Sequence, residues 1–196
     1  ALSSSSATNN VLEFNRKFNW AIKFIFLLGI PSSIGLYFLS YEIINILFLR
    51  GEFSELDVIN TSYSLKAFCF GLVAFMTIKI LNVGFFAKQD PKTPMYVALL
   101  SLFLNVGLNW LLAFKFGYGH VGLAIGSVIS AIVSFIVLMF FLLKRSILVL
   151  ETQSFAFLFK IIISSLGLLT FLTAIHMFSS NWIELNLLIQ FISLSA

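Results

Sequence analysis

The chain has 196 residues, 60% hydrophobic and 10% charged, with 24 phenylalanines and a formal net charge of +4; its mean hydropathy is +1.03. A soluble domain carries about 25% charged residues because most of its surface meets water, and a chain this short cannot hide so much apolar surface in one water-soluble core. Composition therefore excludes a soluble globular domain, and basic residues scattered in ones and twos between apolar runs read as topology markers rather than a nucleic-acid-binding face.

In chain order, the polar opening ALSSSSATNN belongs to a cytoplasmic tail or loop expected over residues 1–19. No signal-peptide pattern of basic region, short apolar core and cleavage site is present. The chain starts on Ala1 and stops inside an apolar run, so a piece of a longer protein is expected. A spanning helix needs about 20 mostly apolar residues. Runs of that length cover 20–39, 65–87, 94–116, 121–143 and 155–178, and a sixth begins near Trp182 and is truncated at Ala196. Membrane strands would be about ten residues long with alternating polarity, which these runs are not. The expected fold is an all-α polytopic membrane bundle of five full transmembrane helices plus a truncated sixth. Pro31 is expected to kink the first span. Residues 41–49 are short and one-sided, which predicts an interfacial helix. Pro91 and Pro94 bracket a tight turn, with Pro94 suited to a first helical turn.

Lysines and arginines orient the spans. One side collects Arg16, Lys17, Lys23, Lys88, Lys92, Lys144, Arg145 and Lys160; the other holds only Arg50 and Lys115. The first set is expected in the cytoplasm, and the RGEF and FGYGH loops outside.

Polar residues inside the spans are the candidates for function. Lys79 lies near mid-depth of the second span, where a charge costs at least about 2.5 kcal/mol. It either faces an anionic substrate in a wet cavity or has a structural role, snorkelling or pairing with a carboxylate elsewhere. Asn82, three residues on, is about 60° away on the helical wheel and is expected to share its face. Ser101, Asn105 and Asn109 recur every four residues and form one polar stripe. They either bond helix to helix or, through the two Asn carbonyls, hold a cation. Gly122, Gly126, Ser130 and Ser134 form a small-residue stripe suited to close helix packing.

Enzyme chemistry is disfavoured within this chain. The carboxylates fall outside the spans or at their ends, and none are paired for acid–base work. His120 and His176 have no matched partner, Cys69 is alone, and there is no phosphate-binding glycine loop. No catalytic residue, metal site or cofactor is expected.

Four segments point to a family. The turn GFFAKQDPKTP (84–94), the loop LFLRGEFSELD (47–57), the stretch GHVGLAIGS (119–127) and the opening ALSSSSA stand in the order of similar segments in the MurJ/MviN lipid II flippase family, within the larger superfamily of multidrug and polysaccharide-lipid exporters. The chain resembles that family over most of residues 1–150; the last 46 match only in hydropathy. In detail, Ser54 stands where the family often has Thr, the opening lacks the family's proline, and Lys79 falls where the family also has a lysine.

The resemblance implies a fourteen-span protein of two lobes around a cationic cavity, of which this chain is the C-terminal part, spans nine to thirteen and the start of fourteen. Residues 20–150 would be four helices of the C-terminal lobe and 151–196 an added helix pair bordering a groove for a polyprenyl tail. It implies a multi-pass protein of the bacterial inner membrane that flips lipid II, an undecaprenyl-pyrophosphate-linked peptidoglycan precursor, from inner to outer leaflet. Its partners would be that lipid, the bilayer and the missing N-terminal lobe. Lys79, Asn82, Asn105 and Asn109 would line the cavity, and a monovalent cation or the membrane potential would drive transport. Asn105 and Asn109 match a helix that binds sodium in some members, although Asn109 stands where an aspartate can occur. Another exporter of the superfamily, a membrane enzyme acting on polyprenyl-linked sugars, and a non-transporting scaffold remain alternatives.

Overall fold

The computed structural model describes residues 11–49, 52–145, 157 and 159–174. These form helices α1 (Val11–Phe38), α2 (Ser40–Phe48), α3 (Glu55–Ala87) and α4 (Lys92–Asn109), a π-helical turn (Trp110–Lys115) and α5 (Gly119–Lys144). A shorter apolar helix, α6, runs over Phe159–Ala174. There is no strand among the described residues. Among the described residues, four segments are long and apolar enough to cross a bilayer: Glu13–Phe38, Glu55–Ala87, Lys92–Lys115 and Gly119–Lys144. The chain is thus an all-helical, multi-pass membrane protein. The fifth expected span is described only as α6, and the sixth lies outside the described residues.

Residues 11–19, expected as part of a cytoplasmic tail or loop, are helical. α1 begins at Val11, and Phe14 and Phe18, one turn apart, are fully buried. Polar neighbours such as Asn15, Arg16 and Lys17 hide this first part from a hydropathy window, yet its two rings anchor it on the bundle. The helix runs through Pro31 without ending. α3 likewise starts ahead of its apolar run. Ser54 accepts the amide of Asp57 while Asp57 Oδ2 accepts the Ser54 amide, a reciprocal capping box that satisfies two orphan donors.

At its other end α3 closes with a Schellman motif: the Gln89 amide donates to the Phe86 carbonyl and the Asp90 amide to that of Phe85. This places Gln89 at φ 57°, in the left-handed region. The π-helical turn ends α4 and leads into a loop where Gly117 and Gly119 take φ of 72° and 50°, which glycine adopts without steric cost.

α3 and α5 are the central pair. α3 also packs on α1 and α2, and α5 on α4 and the π turn. Lipid tails are as apolar as leucine, so helices in a bilayer associate by close fit and polar contacts rather than by hydrophobic expulsion. The fit is visible at Gly71, where a Cβ would press on Val128 of α5, and at Gly84, where it would strike the Phe18 ring. Phe14 and Phe18 of α1, Leu81 and Phe85 of α3, Val97 of α4, and Leu138 and Leu142 of α5 belong to one buried core, whose Val97 and Leu138 also face a neighbouring cleft. The same end carries the Lys88 and Arg145 turns.

Candidate functional site

α3 and α4 barely approach each other despite their short connection, because both lean on α5. Between them lies a cleft of about 460 Å³ backed by α5. Its polar lining comes from all three helices: Asn82 from α3, Ser101 and Asn105 from α4, and Ser127, Ser130 and Ser134 from α5. Phe75, Ile78, Val97 and Leu138 supply much of the apolar wall.

The α4 stripe is wired to α5. Asn109 Nδ2 donates to Asn105 Oδ1 at 2.9 Å, Asn105 Nδ2 to Ser127 Oγ at 3.0 Å, and Ser127 Oγ to the Leu123 carbonyl at 2.9 Å. Ser101 Oγ reaches the Ser130 carbonyl at 3.4 Å. Within α5 the Ser130 and Ser134 hydroxyls turn back onto carbonyls one turn earlier, so these serines present little free polarity. Two acceptors are left over: Asn82 Oδ1 and Asn109 Oδ1 are buried with no donor among the described residues. Leaving such an atom unpaired costs about 1–3 kcal/mol. A donor or a cation is what either oxygen can take.

The small-residue stripe explains how α4 and α5 come so close. A Cβ on Gly122 would run into backbone atoms of Leu112 and Ala113 in the π turn, and one on Gly126 would collide with Asn109 Oδ1. Gly122, Gly126, Ser130 and Ser134 are all buried.

Lys79 and Asn82 do not share a surface. Asn82 turns into the cleft, whereas Lys79 is not among the residues that line it and is exposed beside Val83 and Phe86. A 60° separation is enough to put one residue inside the cleft and the other on its outer flank. Lys79 lies eight residues, about 12 Å, from the Ala87 end of α3.

Other contacts escaped the sequence reading. Arg145 at the end of α5 forms an ion pair with Asp90. Asp90 also accepts the Thr93 hydroxyl at 2.7 Å and the Thr93 amide at 3.2 Å, capping α4. The Thr93 hydroxyl first, with Arg145 adding, holds the Asp90 carboxyl below the usual carboxylate range. The Asp-x-x-Thr spacing just before a helix was the available signal; the distant Arg145 gave none. At the other end of the bundle, Lys66 Nζ lies over the Tyr37 and Tyr63 rings at 5.8 and 5.4 Å.

Comparison with known proteins agrees with this architecture. The sequence model of the family described as "Lipid II flippase MurJ" matches residues 1–193. A probable lipid II flippase MurJ of Haemophilus influenzae is 38% identical over 162 residues, covering 83% of this chain and 31% of that protein. A probable lipid II flippase MurJ of Buchnera aphidicola subsp. Schizaphis graminum is 33% identical over 182 residues, covering 93% and 35%. A solved lipid II flippase MurJ in an inward closed conformation superimposes with a TM-score of 0.73 at 29% identity, over 90% of this chain and 35% of that one. The chain thus spans about a third of the length of these relatives. It belongs to the MurJ family of lipid II flippases.

Proposed function

We propose that the protein containing this chain moves lipid II from the inner to the outer leaflet of the bacterial inner membrane. The family match over residues 1–193 carries the reading, and the cleft supports it. Flipping makes and breaks no covalent bond. Its barrier is the passage of a sugar–pyrophosphate headgroup through hydrocarbon, and a polar cavity opening alternately on each side removes that barrier. No enzymatic step is required, and none is assigned.

In this reading Asn82, Asn105 and Asn109 supply polar surface, and Lys79 meets the pyrophosphate once the remaining two thirds of the protein turns the exposed flank of α3 into a cavity wall. Asn109 Oδ1, buried and unpaired beside Asn105, is the natural position for a monovalent cation that couples transport. The membrane potential adds about 2.3 kcal/mol per charge per 100 mV. The cytoplasmic side is the one carrying Lys88, Lys92 and Arg145, as the charge bias requires.

The test is expression of the full-length gene in cells depleted of their own lipid II flippase, with growth and outer-leaflet lipid II as readouts. Rescue is expected. An inserted, abundant protein that gives no rescue overturns the reading. Lys79→Ala is expected to abolish rescue at unchanged abundance; full activity would show that its charge is dispensable.

A further inference from the structure

The loop before α3 and the start of α5, which lie far apart in the sequence, meet in space. Phe53, Asp57, Asn60, Thr61, Ser64 and His120 line one pocket of about 470 Å³. Its position relative to the cleft is fixed by helical register. Asn60 of this pocket and Ile78 of the cleft are five full turns apart on α3, so they point the same way at a rise of about 27 Å. On α5 the Leu123 side chain lines the pocket while its carbonyl takes the hydroxyl of Ser127, a cleft residue. Between them on the same line of α3 lies Gly71, where Val128 of α5 closes on the helix, so the pocket is separate from the cleft.

Its chemistry differs from that of the cleft. Phe53 offers a ring, held against Phe48 at a centroid distance of 6.1 Å. Asp57 spends Oδ2 on the α3 cap, and no hydrogen bond among the described residues uses Oδ1. Ser64 donates to the Asn60 backbone carbonyl, leaving the Asn60 amide free, and no hydrogen bond among the described residues uses the side chains of Asn60, Thr61 or His120. Donors and acceptors are thus mixed at short range around one aromatic face. The Asp57 carboxylate disfavours a phosphate. A sugar fits: its hydroxyls both donate and accept, and its C–H face is apolar enough to lie on Phe53.

We propose that this pocket, at the start of α3 and α5, is a recognition subsite for the uncharged sugar of a lipid-linked headgroup on the outer side of the membrane. The proposal rests on the flippase reading above. The test uses the full-length protein in lipid nanodiscs and compares binding of undecaprenyl-pyrophosphate-linked sugar precursor (lipid II) with binding of undecaprenyl pyrophosphate, which has no sugar. Asn60→Ala combined with His120→Ala, and separately Phe53→Ala, are expected to weaken lipid II about ten-fold and undecaprenyl pyrophosphate less than two-fold. Phe53→Trp, which keeps an aromatic face, is expected to retain lipid II binding and controls for folding. An equal loss for both lipids, no loss for either, or failure of Phe53→Trp to differ from Phe53→Ala would overturn the subsite while leaving the flippase reading intact. Wild-type protein that binds neither lipid and rescues no depleted cell would overturn the flippase reading itself, and the subsite with it.

Discussion

The closed core around Phe14, Phe18, Leu81 and Phe85 and the cleft around Asn82 and Asn105 are built from the same helices. At the core, glycine at position 84 lets the Phe18 ring lie against α3, where Phe14, Leu81, Phe85 and Leu142 pack with it. At the cleft, α3 and α4 stay apart and α5 holds the amides in a hydrogen-bonded row. The contrast is sharpest between two consecutive residues of α3: Leu81 is fully buried, and Asn82 lines the cleft. Where packing is complete, the bundle is a fixed scaffold. Where it is incomplete and polar, the protein has room for water, an ion or a headgroup. Substitutions should therefore separate stability from transport.

The largest effect on stability is expected at the core. Phe18→Ala removes a buried ring and should cost about 3–5 kcal/mol, read as a drop in the thermal midpoint of the full-length protein in detergent. Asn82→Ala should leave that midpoint near wild type. Equal losses would erase the distinction between scaffold and cleft.

A smaller loss is expected at the α4–α5 seam. Gly122→Ala meets backbone of the π turn, which cannot swing aside, and should cost about 1–3 kcal/mol. Gly126→Ala meets the end of the Asn109 side chain and should cost less, while breaking the Asn109–Asn105 bond. The reverse order would show that the π turn yields more readily than the amide row.

The smallest effect is expected at the Asp90 turn. Its folded carboxyl is held below its unfolded value, so its contribution is present above the unfolded pKa of about 3.9 and disappears as pH falls through the folded value. The difference in thermal midpoint between wild type and Asp90→Asn should be constant from pH 7 to about pH 5 and vanish only under stronger acid. A difference that fades near neutrality would contradict the assignment.

Much of this fold was legible in the sequence because bilayer thickness imposes a minimum run length. The spans expected to end at residue 87 and to start at 94 and 121 lie close to the helix ends observed, at Ala87, Lys92 and Gly119. The early starts of α1 and α3 were not legible, because a helix protruding from the membrane carries polar residues that hydropathy discounts. Of the site, the four-residue spacings of the Ser101–Asn105–Asn109 and Gly122–Gly126–Ser130–Ser134 stripes could be read, since spacing encodes a helical face. Which stripe met which could not, because that depends on how α4 and α5 pair. The same limit put Lys79 and Asn82 together on paper. A helical wheel gives angles but no neighbour, and the edge of the cleft runs between them.

Thiol accessibility measured across the Leu81–Asn82 step tests the scaffold-and-cleft distinction most directly. In full-length protein whose only cysteine is the introduced one, Asn82→Cys is expected to react with a membrane-impermeant thiol reagent, while Leu81→Cys stays unlabelled. Equal labelling of the two, or labelling of Leu81→Cys alone, would contradict it.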